Sequence, residues 1–408
     1  ASSPGPLDRI SLRDDTNMLD IEKLKTEYEP YVIRMRRYFH AHPELSGKEL
    51  KTSAAIRAEL DADGIEWRSC GKSLPQGTLG TIKGDLPGKT ILLRSDIDAL
   101  PITEATGLPF ASENPGVMHA CGHDNHIAML LTAAKILAAN RHELRGTVKV
   151  LFQPSEEVGI GALDMIEDGA LEGVDAAFGM HVWPELASGR VSLEPGPRMA
   201  STDRFRIDIQ GKGGHAAAPH LCVDATPAAA FLAVNLQTLV SRSISPASSA
   251  VLTIGSLHSG SRWNVTSGSA YLEGTVRCFD EETRKTIREG MKRMADRVAA
   301  AHGCTAETTY TWLSDAVIND PAITAVAAGA AAEVLGPDGL ASVPPTLVGE
   351  DFAVIMHRVP SAFGFFGIRN EAVKAAFPLH TDRCTSDESG LIGGALIFVK
   401  TAYNFLNR

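Results

Sequence analysis

Three runs of nearly uninterrupted apolar residues stand out along the chain: TILLRSDI (residues 90–97), TVKVLFQPSEE (147–157) and AAFGMHVWP (176–184). Continuous apolar runs of this length predict strands buried on both faces, as in a parallel sheet covered by helices. Residues 125–140 and 161–168, between them, carry helical periodicity, and residues 29–63 predict two amphipathic helices broken at Pro43 and Gly47. From Met199 the pattern changes. DRFRIDIQG (203–211) alternates apolar and polar positions, as an antiparallel strand with one wet face does. A helix (225–240), two strands (250–257 and 269–279), a charged helix (281–301) and a strand (305–311) complete a β-α-β-β-α-β order of ferredoxin type. The helix–strand style then returns with an Ala-rich helix (321–335), SAFGFFGI (361–368) and a terminal helix from Ser389. The expected fold is α/β: a mainly parallel, helix-covered sheet built from residues 1–198 and 313–408. A ferredoxin-like α+β unit, residues 199–312, is inserted into it. No internal repeat or low-complexity tract is seen.

In parallel sheets, ligands bind beyond the carboxyl ends of the strands. The first run ends in acids, the second in a carboxylate pair and the third at His181, so groups distant in sequence can converge there. Composition narrows the field. At 408 residues the chain exceeds one ordinary core, and 44% apolar with 22% charged residues is globular usage. A net charge of -10 and a pI near 5.7 disfavour nucleic acid or an acidic membrane surface as partner. No apolar run reads as long enough to span a bilayer; the best, residues 127–139, is alanine-rich and cut by Lys135. Six cysteines without disulfide rhythm read as a reducing, cytoplasmic setting. Residues 2–6 read as a flexible tail, and a signal peptide removed ahead of Ala1 stays open.

The densest chemistry is MHACGHDNH, residues 118–126. Cys121 and His123, at i and i+2 just before a helix expected to begin at Asn125, lie where a loop aims both at one ion. A metal and a helix N-terminus together stabilise a thiolate. Either residue alone is more often a packed core group; together with the strand-end acids, metal binding becomes the better reading. Glu156 and Glu157 are costly side by side unless something positive neutralises them. In an extended segment they point opposite ways, so one can ligate while the other faces water and substrate, although such a pair alone is commonly a solvated loop. A dinuclear hydrolytic site needs this kind of ligand set plus a separate base. Asp96 and Asp98 share one strand face, and Asp98 suits orienting a ligand imidazole. The remaining groups read blandly: His119 packs, Asp124 caps the helix, His126 has no assigned role, HAHPE (40–44) is a structural turn, and Glu350 with Asp351 starts a helix near the site.

FHAHPELSGKE, RSDIDALPI, MHACGHDNHIAML, FQPSEE, GMHVWP, GKGGHAAAPH, GEDFA and PLHTDR, in this order, resemble the zinc-type amidohydrolase family containing carboxypeptidase G, the aminoacylases, hippurate hydrolase and plant auxin-conjugate hydrolases. The chain is most similar to the last two, from about Tyr31 to its end. The resemblance implies a metal-dependent hydrolase cleaving N-acyl-L-amino acids, with two divalent ions, zinc first and manganese, cobalt or nickel as alternatives. Cys121, His123, Glu157, His181 and His380 would be ligands, Glu156 the general base on a metal-bridging water, and Asp98 a support behind a ligand. His215 would stabilise the oxyanion in the neighbouring subunit of a homodimer, and Asn264 and Arg277 would contact substrate. A carboxypeptidase or dipeptidase on the same site is the nearest alternative. A silent amino-acid-conjugate binding protein would not need the Glu156–Glu157 pair. A cysteine hydrolase using Cys121 with His123 leaves that pair without a role. The sequence departs from the family at TDRCTSDE after His380 and at VTSG after Asn264.

Overall fold

A computed structural model describes residues 19–407; the tail read at residues 2–6 lies outside the described residues. Helix α1 (Ile21–Ala41) begins well before the expected residue 29 and runs through Pro30, with Asp20 capping its start. Proline costs the helix one backbone hydrogen bond, and the burial of Leu24, Val32, Met35 and Phe39 against the core offsets it. After α2 (Leu50–Ala62) come β1 (Glu66–Ser69), β2 (Thr78–Lys83) and β3 (Leu86–Asp96), then α3 (His123–Ala139), β4 (Arg145–Gln153), α4 (Gly161–Glu167), β5 (Ala176–Ala187) and β6 (Val191–Ser192). The chain continues through β7 (Gly196–Met199), β8 (Thr202–Gln210), β9 (Gly214–His215), α5 (Ala225–Thr238), β10 (Ala250–Ser259), β11 (Val265–Thr266), β12 (Ser269–Cys278), α6 (Glu281–Ala301) and β13 (Thr305–Ser314). It closes with β14 (Val317–Asn319), α7 (Pro321–Leu335), α8 (Phe352–Met356), β15 (Ser361–Arg369) and α9 (Leu391–Leu406).

The larger sheet has the order β1-β2-β4-β3-β5-β15-β6. Only its centre is parallel: β3 pairs in parallel with β4 and β5, and β15 with β5. The pairs β1–β2, β2–β4 and β15–β6 at its margins are antiparallel, so the expected mainly parallel sheet has mixed edges. The β1–β2 connection is too short for a crossover helix, so that ribbon turns back on itself. The continuous apolar runs have a direct cause. Alternate residues enter cores on opposite faces: Ile91, Leu93, Val148, Val150 and Phe178 join α1, α3, α7 and α9, while Leu92, Leu151, Ala177 and Phe363 pack with α4 and α8.

Glu388–Leu406 is long and apolar enough to cross a membrane by length and composition, which corrects the reading that no run is. That segment is 78% buried inside the protein, as a central core helix is. The second sheet, β10-β12-β8-β13, is antiparallel throughout. Leu232 and Leu236 of α5 and Ile287 and Met291 of α6 cover one of its faces, forming a core of their own with Phe205, Ile207 and Leu272. Strands β7 and β14 pair at its root. All six cysteines are free thiols.

Phe178 is fully buried and meets Phe398 of α9 edge-on, ring centroids 5.4 Å apart. Phe178→Ala is expected to remove about 3–5 kcal/mol of stability, read from the urea unfolding midpoint.

Candidate metal centre

The donors gather where the parallel strands end. β3 pairs with β5 only as far as Gly179, so His181, further along β5 and paired there with Phe365 of β15, emerges at the open edge. β4 ends at Gln153, and Glu156 and Glu157 follow it. Between them Ser155 adopts φ 60, a left-handed conformation that a non-glycine residue rarely takes. Its backbone N–H donates to the buried Glu49 carboxylate at 2.9 Å, which holds the turn. Cys121 and His123 flank Gly122, and the helix starts earlier than expected, at His123. Gly122 lies at φ 87, and a Cβ on it would sit 2.4 Å from Val182 Cγ2; only glycine fits.

Cys121 Sγ lies 3.4 Å from His181 Nε2 and 3.2 Å from His380 Nε2. Glu157 Oε1 is 3.5 Å from His380 Nε2 and 3.9 Å from His123 Nε2. These residues form three overlapping groups able to hold an ion: Cys121–His123–His181, Cys121–Glu157–His380 and His123–Glu156–Glu157. His123 Nε2 and Glu157 Oε1 are buried and lack hydrogen-bond partners. Buried polar atoms are costly unpaired, and a thiol, imidazoles and carboxylates with facing free lone pairs suit a zinc-class cation. The donor set therefore fits a metal pair. The other ring nitrogens are anchored: His123 Nδ1 to the Asp98 carbonyl (2.9 Å) and carboxylate (3.3 Å), His181 Nδ1 to the Val182 carbonyl (2.7 Å). Asp98 in turn accepts from Ser46 Oγ (2.7 Å) and the Glu157 N–H (3.0 Å). His380 itself is exposed and at φ 60, its backbone tied to the Ala120 carbonyl at 2.8 Å.

Charge is concentrated behind these donors. Burial, then Glu350 and Asp351, push Glu156 well above the usual carboxylate range. Asp351 is raised to about 7, chiefly by burial. Burial raises the Cys121 thiol, with Glu157 adding to it, and a cation among the donors would relieve that repulsion. Burial alone would raise Asp98, but its hydrogen bond to His123 holds it below the ordinary value.

Several residues gain roles that their sequence neighbourhood does not reveal. Arg94 is fully buried, with Nη1 2.9 Å from Asp96 and Nη2 2.8 Å from Asp351 and 3.0 Å from Glu350. His126, which had no assigned role, donates to Asp96 (2.6 Å) and accepts from the Val182 N–H (2.8 Å), fixing the backbone beside His181. Asp124 does not cap α3: Gly122 holds the cap position, and the Asp124 carboxylate pairs with His40 and Arg36. HAHPE is no simple turn, since His40 and Ala41 form the end of α1. Asp351 precedes the short α8, but its carboxylate binds Arg94, Gln153 and the Ala162 N–H rather than the helix. His119 packs, with both ring nitrogens unpartnered and burial lowering it to about 4. The periodicity of the sequence carries no signal for Arg94 or Glu49.

A cavity of about 430 Å³ opens on the donors. It is lined by Cys121, Glu156, Glu157, His181 and His380 on one side and by Thr202, Arg277 and Leu313 of the second sheet on the other. Arg277 is thus brought to the site. His215 and Asn264 are not among the cavity's lining residues: His215, exposed, ends β9, and Asn264 immediately precedes the paired β11.

Residues 92–404 match Peptidase family M20/M25/M40. The chain is 40% identical to the N-acetyl-L-cysteine deacetylase of Bacillus subtilis (strain 168), over 98% of this chain and 93% of that one. It is 36% identical to thermostable carboxypeptidase 1 of Saccharolobus solfataricus, over 95% and 99% of the two chains. A crystal structure from Bacillus subtilis, a dinuclear metal-binding peptidase of the M20 family, superposes with a TM-score of 0.83 at 37% identity, covering 94% of this chain and 99% of that one. The protein belongs to the M20 peptidase family of metal-dependent amidohydrolases and peptidases.

Gly122→Ala forces a left-handed alanine, worth roughly 1–2 kcal/mol, into Val182. Its melting temperature is expected to fall and its metal content with it; a variant with unchanged melting and metal content contradicts the packing described.

Proposed function

We propose that the protein hydrolyses the amide of N-acyl-L-amino acids, releasing a carboxylate and a free amino acid, at a dinuclear site. The carrying observation is the convergence of Cys121, His123, Glu157, His181 and His380 with Glu156, all of them except the buried His123 lining one cavity. In this reading those five residues hold two divalent ions, zinc preferred for its affinity for thiolate and imidazole. Ions held there supply Lewis acidity to the scissile carbonyl and acidify water. Glu156 takes the proton of the attacking water and hands it to the leaving amine. Asp98 keeps the His123 ring aligned, and Arg277, facing the donors across the cavity, pairs with the substrate carboxylate. Similarity to a deacetylase supports the acyl-amino-acid reading; similarity to a carboxypeptidase favours peptides as a second substrate class on the same residues.

Residues 199–312 serve in this proposal as a dimerising lid. Support comes from the open edge of β10 and from apolar side chains left in solvent: Val234 and Phe231 on α5, 69% and 57% exposed, and Trp263, 89% exposed. An isologous contact through this face would carry His215 and Asn264 to the partner's cavity, where His215 stabilises the oxyanion. Unpaired thiols, Cys121 above all, suit a cytoplasmic setting.

Exhaustive chelation is expected to abolish hydrolysis of N-acyl amino acids, and added metal to restore it; full activity without metal ends this reading. Glu156→Gln should keep its metal and lose turnover by ~10²–10⁴-fold, whereas Glu157→Gln should lose metal, both measured by elemental analysis beside initial rates. Mixing inactive His215→Ala and Glu156→Gln subunits should restore partial activity, because one site of the mixed dimer receives both defects and the other neither. Verified heterodimers without recovery would place His215 outside the partner's site.

A further inference from the structure

His40, Arg36 and Asp124 take no part in the chemistry above, yet they are among the most deeply buried polar residues of the chain. His40 places Nδ1 2.7 Å from Asp124 Oδ2 and Nε2 3.1 Å from Glu104 Oε1. Carboxylates only accept, so a ring facing one on each side donates from both nitrogens and is an imidazolium. Arg36, one turn earlier on α1, places Nε 3.1 Å from the same Asp124 oxygen. Its Nη atoms reach Glu388 and Thr385, each at 3.3 Å, and Arg37 adds a second contact to Glu388 at 2.6 Å. Phe110 closes the cluster, its ring edge-on to His40 and 4.9 Å from the Arg36 guanidinium.

The charges balance. Arg36, Arg37 and His40 face Asp124, Glu104 and Glu388; burial keeps the further titratable neighbours uncharged, lowering His119 and pushing the Cys384 thiol up to about 12. Burial and Arg36 push His40 down, Asp124 and Glu104 push it up, and the net shift is upward. Asp124 follows His123 directly, while Thr385 and Glu388 anchor the end of the loop that carries His380. The same region is stitched by the Ala105 N–H to the Asp382 carbonyl (2.7 Å) and the His380 N–H to the Ala120 carbonyl (2.8 Å). The turns that carry Cys121 and His380 lie outside the strand and helix ladders: one passes through left-handed Gly122 just ahead of α3, the other through left-handed His380. Their shape has to be imposed from outside.

We propose that Arg36 and His40 are positioning residues, a buried guanidinium–imidazolium pair that clamps Asp124 and Glu388 and so holds Cys121, His123 and His380 in the arrangement that takes up metal. This rests on the metal reading of the site given above. The clamp acts on metal affinity through backbone placement, without touching metal or substrate.

The test strips the full-length protein of metal and titrates it with zinc alone against a chromophoric chelator. Wild type binding two zinc ions per chain is the control; no binding there overturns the metal reading itself, not the clamp. His40→Gln and Asp124→Asn are each expected to weaken zinc uptake about 10–100-fold at temperatures where circular dichroism shows both folded. Combined, they should cost little more than either alone, and Arg36→Lys should retain more affinity than Arg36→Met. Folded variants that bind zinc within about twofold of wild type would reduce the cluster to a structural role and overturn the proposal. Should the substitutions prevent folding, nitrogen-15 spectra of the metal-free wild type decide: both His40 nitrogens stay protonated at about pH 7.5, where a free imidazole is mostly neutral. A neutral His40 ring there overturns the clamp.

Discussion

Asp96, Asp98, Glu156, Glu157, Glu350 and Asp351 crowd into the space beyond the ends of β3 and β4, and the Arg94 guanidinium is buried among them. Each buried ion costs several kcal/mol unless paired with good geometry. Arg94 supplies that geometry on one side only, binding Asp96, Glu350 and Asp351 while its Nε donates to Gln153 at 2.9 Å. The back of the cluster is thereby partly compensated within the protein, one guanidinium facing three carboxyl groups. The front is not: Glu157 lines the cavity, and it and the buried His123 each keep an unpartnered atom. The carboxylates left in excess of Arg94, together with the open front, favour a cation among the donors.

Holding that front requires backbone that ordinary secondary structure does not provide. Gly122, Ser155 and His380, each in or beside the donor set, all lie in the left-handed region. Strain of this kind persists only where the surroundings over-determine it. Here Val182 against Gly122, Glu49 under Ser155 and the Ala120 carbonyl behind His380 do so. The rigid sheet positions the strand ends, and buried carboxylates position the turns that leave them. A charge lost from either set therefore propagates to the donors through backbone placement rather than direct contact.

The cavity is a joint product of two sheets. Glu156 and the donors come from the larger one, Arg277 and Leu313 from the smaller, and β7 with β14 is the paired ribbon between them. A shift of one sheet against the other changes the distance between the reacting centre and the group that faces it. His215 and Asn264 do not line this cavity, so any part they take in the reaction depends on assembly.

The sequence by itself determined the strands and much of the chemistry. Residues buried on both faces of a sheet must be apolar without interruption, so β3, β4 and β5 announced themselves, and strand ends are where polar groups can collect. Alternation in DRFRIDIQG likewise marked a strand with one face in solvent. Cys121, His123, Glu157 and His181 were identifiable from residue type and position, His380 through the family resemblance, and the structure brings them together. Local pattern could not say which carboxylate meets which cation. Arg94 and Asp351 are 257 residues apart, His40 and Asp124 84, and His380 and Cys121 259. Asp124 has the sequence context of a helix cap and became a buried ion pair, because α1 delivers two cations to it. His126 looked idle until Asp96 and the Val182 N–H closed on it. The edges of the larger sheet turned out antiparallel because connection length governs them, and hydrophobic period does not record it. Periodicity reports how a residue meets its own element; only the packed chain decides which charge answers which, since in a low-dielectric interior that pairing is fixed by a few ångströms.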